Sequence, residues 1–95
     1  PALLGLLHAR LLVARGDLYR ARGNPRDLAQ ASEFYGKAVE MDATLPEAQR
    51  GLGLSLIKTG RRKEGQVALR RYLDLKPNAL DAAMISMLAP SAGGQ

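Results

Sequence analysis

The 95-residue sequence contains no cysteine and no tryptophan, and its aromatic residues are three tyrosines and one phenylalanine. Without cysteine the chain has no disulfide, thiolate zinc site or thiol nucleophile. This absence does not distinguish a cytosolic from a periplasmic protein. A chain of this length forms one small domain or part of a larger protein, so these 95 residues cannot by themselves form a multi-domain enzyme.

Long apolar runs are also lacking, apart from residues 2–14, which read ALLGLLHARLLVA. A membrane-spanning helix needs about 20 apolar residues, whereas this run is shorter and contains His8 and Arg10. It also lacks the preceding basic stretch and the following cleavage site of a signal peptide. We interpret it as the first helix of the fold and expect no membrane span.

Turn-forming residues divide the chain into five helical segments, and no segment alternates with period two for long enough to predict a strand. Between the first two segments, Gly23 suits a C-terminal cap, Asn24 an N-cap and Pro25 the first helical position. The sequence therefore predicts an all-α fold.

The later helix boundaries have their own signals. Thr44 and Glu47 have the spacing of a capping box for the third helix, and Gly60 is expected to end it. Asn78 and Asp81 are expected to cap a fifth helix that reaches about residue 89.

The chain repeats a pattern of small and large residues. Gly16-x-x-Tyr19-x-x-x-Gly23 in the first helix matches Gly53-x-x-Leu56-x-x-x-Gly60 in the third, and Ala31-x-x-x-Tyr35-x-x-Ala38 matches Gly65-x-x-x-Leu69-x-x-Tyr72. The offset is 37 residues for the first pair and 34 for the second. A small residue permits close approach of two helices, so we expect Gly16 and Gly53 at such contacts. Tyr19 and Leu56 are the expected knobs opposite, and the second helices supply matching small sites, Ala31 and Gly65, and large ones, Tyr35 and Leu69.

This pattern, with the ending Asp74-Leu75-Lys76-Pro77, resembles the tetratricopeptide repeat. The resemblance implies a right-handed superhelix of two and a half repeats within residues 1–90. Repeat 1 covers about residues 9–45, repeat 2 about 46–79, and a capping helix about 79–89; residues 91–95 are expected to form a flexible tail. Such folds bind peptides or proteins in a concave groove, so the resemblance implies a non-catalytic interaction or assembly module.

A helical wheel places one set of residues on the groove-facing side of the first, third and fifth helices. We expect this surface to suit an apolar segment flanked by acidic groups, or else to be covered by a neighbouring repeat or subunit. The predicted partner-binding residues are Arg10, Val13, Asp17, Glu47, Arg50, Leu54, Ile57, Lys58, Asp81, Met84 and Ile85.

The sequence gives weaker indications of two other functions. Short phrases such as Pro46-Glu47-Ala48 also resemble the C-terminal repeat segment of bacterial envelope M48-type metallopeptidases, which implies an accessory domain of a larger enzyme. A basic ridge, formed by Arg61, Arg62, Lys63, Arg70 and Arg71, is an alternative site for anions or nucleic acid. We expect it to be a solvated surface, with nucleic-acid binding disfavoured, because base stacking would also need exposed aromatic rings.

Catalytic patterns are lacking. His8 has no second histidine or cysteine with which to share a metal, and no serine lies in a Gly-x-Ser-x-Gly elbow or phosphate-binding loop. We therefore predict no enzyme activity, no cofactor and no metal. The first and fifth helices carry apolar residues nearly all round, which predicts contact with a second copy of the chain or with an upstream domain.

Overall fold

The computed structural model describes residues 2–90, which contain five helices and no strand. These are α1 (Leu3–Arg22), α2 (Pro25–Met41), α3 (Pro46–Lys58), α4 (Arg62–Leu75) and α5 (Ala82–Leu88). Consecutive helices pack against each other, and α1 also contacts α3. The predicted all-α fold of about five helices is confirmed. Pro1 and the predicted flexible tail at residues 91–95 lie outside the described residues.

The turn between α1 and α2 is formed as the sequence predicts. Gly23 has a positive φ of 75° and donates its N–H to the Tyr19 carbonyl. The Asn24 Oδ1 atom accepts the Asp27 N–H at 2.9 Å, and Pro25 is the first residue of α2. The glycine tolerates the left-handed conformation and the asparagine satisfies a free helix donor, so both caps are confirmed.

The caps predicted for α3 and α5 are wrong. The Thr44 hydroxyl donates to Asp42 Oδ1 at 2.6 Å within the turn, and Leu45 precedes α3 without a side-chain cap. Asp81 precedes α5, but its carboxylate accepts hydrogen bonds from Arg50 and Tyr72 and caps no backbone N–H of α5. In both cases a polar side chain has a stronger partner outside the helix.

Small residues of one helix face large residues of the next, as the repeat pattern predicts. A β-carbon placed on Gly16 would lie 2.7 Å from Cε1 of Tyr35, and one placed on Gly53 would lie 2.5 Å from Cδ2 of Leu69. Real side-chain contacts are longer, so only glycine permits these helix approaches. The Tyr35 ring also lies against Gly51 of α3, so it fills the space between α1 and α3.

Two clusters of buried residues form the core. The first, around Tyr35, joins α1, α2 and the start of α3. The second joins α4 and α5 through Leu69, Tyr72, Ile85 and Ala89. Between residues 2 and 90, none of the helices has both the length and the apolar character that crossing a bilayer requires.

Candidate partner-binding groove

An apolar cleft of about 330 Å³ lies beside the C-terminal half of α3. Leu54 and Lys58 of α3 and Met84 of α5 line it, and these are three of the predicted groove residues. The cleft also includes three residues that the sequence reasoning missed, namely Arg20, Leu28 and Leu88. Leu28 belongs to α2, the second helix of a pair, and a helical wheel of α1, α3 and α5 does not include it.

The rim of the apolar cleft is positively charged. Arg20 donates from Nε to the Tyr35 hydroxyl at 3.0 Å, and its Nη2 lies 3.9 Å from Asp17 Oδ1. Lys58 is exposed and forms no ion pair within residues 2–90. None of the described residues that line the cleft is acidic, so the positive charge of Lys58 at its rim favours an anionic partner.

A second, polar cleft of about 570 Å³ lies at the opposite end of α3. Arg10, Glu47 and Arg50, all predicted groove residues, are brought together there. Lys76 and Asp42 also line it, so charges of both signs meet in this cleft. Because opposite charges are mixed, the polar cleft has less electrostatic selectivity than the apolar cleft.

Arg50 and Asp81 bind each other as well as facing the groove. The Arg50 Nε atom donates to Asp81 Oδ2 at 2.6 Å, and the Tyr72 hydroxyl donates to Asp81 Oδ1 at 2.7 Å. The Tyr72 hydroxyl and the Arg50 guanidinium lower the pKa of Asp81, and the same hydrogen bond to Asp81 raises the pKa of Tyr72. Both charges were predicted to face the groove, but their mutual neutralisation was not predicted.

A similar tyrosine–aspartate contact lies at α1. The Tyr35 hydroxyl donates to Asp17 Oδ1 at 2.5 Å, and Arg20 donates to the same hydroxyl. The pKa of Tyr35 is raised to about 12, mainly by burial of its hydroxyl and secondly by its hydrogen bond to Asp17. The helices α1 and α2 form a first hairpin, and α3 and α4 form a second. In each hairpin the buried tyrosine holds an aspartate that was predicted to face the groove, and Asp17 remains about half exposed.

Two predicted groove residues are in the core, and their assignment to the groove is wrong. Val13 belongs to the cluster around Tyr35, and Ile85 is completely buried against α4. Leu54 and Ile57 are partly buried and pack on the second cluster. A helical wheel gives the direction of a side chain but not the neighbour that covers it, which is why Val13 and Ile85 were misplaced.

The basic ridge is partly occupied by internal contacts. Arg61 forms two hydrogen bonds to the Glu64 carboxylate, at 2.8 and 2.7 Å. Arg70 donates to the Ala89 carbonyl at 3.2 Å, which helps to hold the end of α5. These two arginines therefore have partners within the chain.

The comparisons with known proteins give no assignment. No family model matches the chain, and no curated protein or solved structure matches it. Within residues 2–90 no three His, Asp or Glu side chains are grouped in a way that would hold a metal ion. The candidate site is thus defined by the geometry of the two clefts alone.

Proposed function

We propose that the chain is a helical-repeat interaction module of the tetratricopeptide type, and that its apolar cleft binds an apolar protein segment flanked by acidic side chains. The observation that carries this proposal is the cleft of Leu28, Leu54, Met84 and Leu88, with Arg20 and Lys58 beside it and no acidic lining residue among those described. Burial of apolar side chains would supply affinity, and the two cations would select the sign of the flanking charges.

The repeat assignment is supported by equivalent contacts in the two hairpins. Gly16 faces Tyr35 in the first hairpin, and Gly53 faces Leu69 in the second. In each case a glycine of the first helix receives the large side chain of the second helix. This equivalence supports two copies of one helix–turn–helix unit, with α5 packed on the second copy.

A pair of labelled peptides tests the proposed specificity. The first has a short core of leucine and phenylalanine flanked by glutamates, and the second has the same core flanked by lysines. We expect fluorescence anisotropy to show at least about tenfold tighter binding of the glutamate peptide, with an affinity that falls as salt is added. Equal binding of both peptides, or of neither, would contradict the proposal.

Two methionines of α5 provide a matched pair of variants. Met84 lines the apolar cleft and is 48% exposed, whereas Met87 is 81% exposed and does not line it. We expect Met84→Glu to weaken binding of the glutamate peptide by about tenfold or more, because it places a like charge in the cleft. Met87→Glu should leave the affinity unchanged, and an equal loss in both variants would place the peptide elsewhere.

Two lysines test the role of charge separately from shape. Lys58 lines the cleft, and Lys63 is an exposed lysine of α4 that does not. Lys58→Glu should reduce the preference for the glutamate peptide, and Lys63→Glu should retain it. Leu54 is less suitable for this test because it also packs on the second core cluster, so an acidic substitution would change folding and binding together.

A further inference from the structure

One face of α1 is a continuous stripe of exposed apolar residues, formed by Leu4, Leu7, Leu11, Ala14 and Leu18. The four leucines are between 48% and 80% exposed. At about 100° per residue, all five positions fall within an arc of about 80°. Their spacing of three and four residues is the heptad pattern of a helix that packs along its length against another helix.

The stripe is distinct from the face of α1 that packs in the core. Ala9, Val13 and Gly16 are the buried residues of this helix, and they lie on the other side of it. The helix is therefore apolar on two faces, of which residues 2–90 cover only one. Such a stripe is larger than isolated surface leucines would explain.

We propose that the leucine stripe of α1 packs against the same stripe of a second copy of the chain, with the two α1 helices antiparallel about a twofold axis. This interface is independent of the proposed function, because no residue of the stripe lines the apolar cleft. A twofold arrangement is the simplest in which one self-complementary patch covers itself.

The area of the stripe is compatible with a weak dimer. Together the four leucines expose as much surface as between two and three fully exposed leucine residues. Ala14 and the neighbouring Leu3 add to this apolar area. Counting both copies, the buried area would be on the order of 1,000 Å², which is the lower limit for a specific interface. We therefore expect association in the micromolar to near-millimolar range rather than an obligate dimer.

Charge beside the stripe selects the antiparallel orientation. Arg10 and Asp17 lie seven positions apart along one edge of the stripe, and Arg15 lies on the other edge. In an antiparallel pair Arg10 of each copy approaches Asp17 of the second copy, which is favourable. In a parallel pair Arg10 would approach Arg15 of the second copy, which is unfavourable.

Packing of large and small residues agrees with one antiparallel register. When Leu11 of one copy lies opposite Ala14 of the second, Leu7 lies opposite Leu18. In the two equivalent central layers the large Leu11 then meets the small Ala14, and in the flanking layers Leu7 meets Leu18. This register also brings the Arg10 and Asp17 edges together.

Sedimentation equilibrium of the 95-residue chain over a wide concentration range tests the interface. We expect reversible dimerisation, weakened at least tenfold by Leu11→Glu, which is at the centre of the stripe. The matched control is Leu80→Glu, because Leu80 is fully exposed but lies outside α1. A wild-type chain that stays monomeric to near-millimolar concentration would overturn the proposal, as would equal weakening by Leu80→Glu. Circular dichroism of each variant excludes loss of folding as the cause.

Single cysteines test the orientation, because the chain has none of its own. In the antiparallel register, a mixture of Leu7→Cys and Leu18→Cys chains should form the mixed disulfide faster than either chain pairs with itself. A parallel dimer would instead give the Leu18→Cys homodisulfide, since equal positions then face each other. Prevalence of that homodisulfide would overturn the antiparallel arrangement.

Discussion

The Nε atom of Arg50 lies 2.6 Å from Oδ2 of Asp81, a residue 31 positions further along the chain. The second carboxylate oxygen of Asp81 accepts the hydroxyl of Tyr72. One carboxylate thus connects α3 and α4 to the residue that precedes α5. Since α5 has only seven residues, it is too short to be stable without such contacts.

Asp81→Asn should therefore loosen α5. We expect a loss of about 1–2 kcal/mol in the free energy of unfolding, because Arg50 loses its charged partner in a partly buried site. Amide hydrogen exchange in α5 should accelerate more than exchange in α2. The control is Asp74→Asn, an exposed carboxylate of α4 without an ion pair in the described chain, which should change stability by less than about 0.5 kcal/mol.

Acidification should weaken the same contact. The pKa of Asp81 is lowered from its ordinary value of 3.8 by the Tyr72 hydroxyl and by Arg50, so its stabilising effect is present above that value and is lost as pH falls through the lower, folded-state pKa. The stabilities of the wild type and of Asp81→Asn, measured by urea unfolding, should therefore begin to approach each other as pH falls below 3.8 and should be equal below the folded-state pKa. A stability difference that persists at the lowest pH would show that the carboxylate charge is not responsible.

Substitution by alanine should change the stability of the fold in opposite directions at two glycines. A β-carbon on Gly65 would lie 2.7 Å from the Gly53 carbonyl oxygen, so Gly65→Ala must separate α3 from α4 and should cost about 1–3 kcal/mol. Gly36 has open space at the corresponding position, so Gly36→Ala should stabilise α2 by about 0.5–1 kcal/mol. Thermal and urea unfolding measure both changes, and destabilisation by both substitutions would refute the assigned packing.

Alkaline pH should act through Tyr35. Its pKa is raised from 10.0 to about 12, so the folded chain holds this proton more tightly than the unfolded chain does. The resulting stability is present below pH 10.0 and is lost as pH rises through about 12. In a titration followed by tyrosinate absorbance, the last tyrosine to ionise should be missing from Tyr35→Phe. If the high-pH component persists in this variant, another tyrosine is responsible.

The two turn asparagines should differ in their contribution. Asn24 caps α2 through the Asp27 N–H and also donates to the Asp27 carboxylate at 2.8 Å, so Asn24→Ala should cost about 1 kcal/mol or more. Asn78 is exposed and no cap of its side chain on α5 is formed, so Asn78→Ala should be nearly neutral. Equal losses of stability in the two variants would show that Asn78 does have the capping role that the sequence predicts.

Local signals were the part of the structure that the sequence predicted best. Gly23 and Asn24 form the predicted caps because each interaction is made within a few residues. The close helix approach at Gly16 was also predicted, because the repeat shows the same small and large positions twice, but its partner Tyr35 was not.

The groove was predicted less completely, because it depends on how separate helices meet. Asp81 has the spacing of a cap, but its partners Arg50 and Tyr72 come from α3 and α4. Ile85 is on the predicted face of α5, yet the packing of that helix on α4 buries it. Helical periodicity fixes the direction of each side chain along its own helix, and the angle between helices then decides which side chains are covered.

The position of Tyr35 has a consequence for how the chain denatures. Its ring lies against Gly16 of its own hairpin and against Gly51 of the second, so separation of the hairpins would expose to water the side of the ring that packs on Gly51. In a linear stack each helix pair can melt separately when the coupling between neighbours is weak. Here the shared ring makes that coupling strong, so we expect a single cooperative transition without a populated intermediate in which one hairpin remains folded.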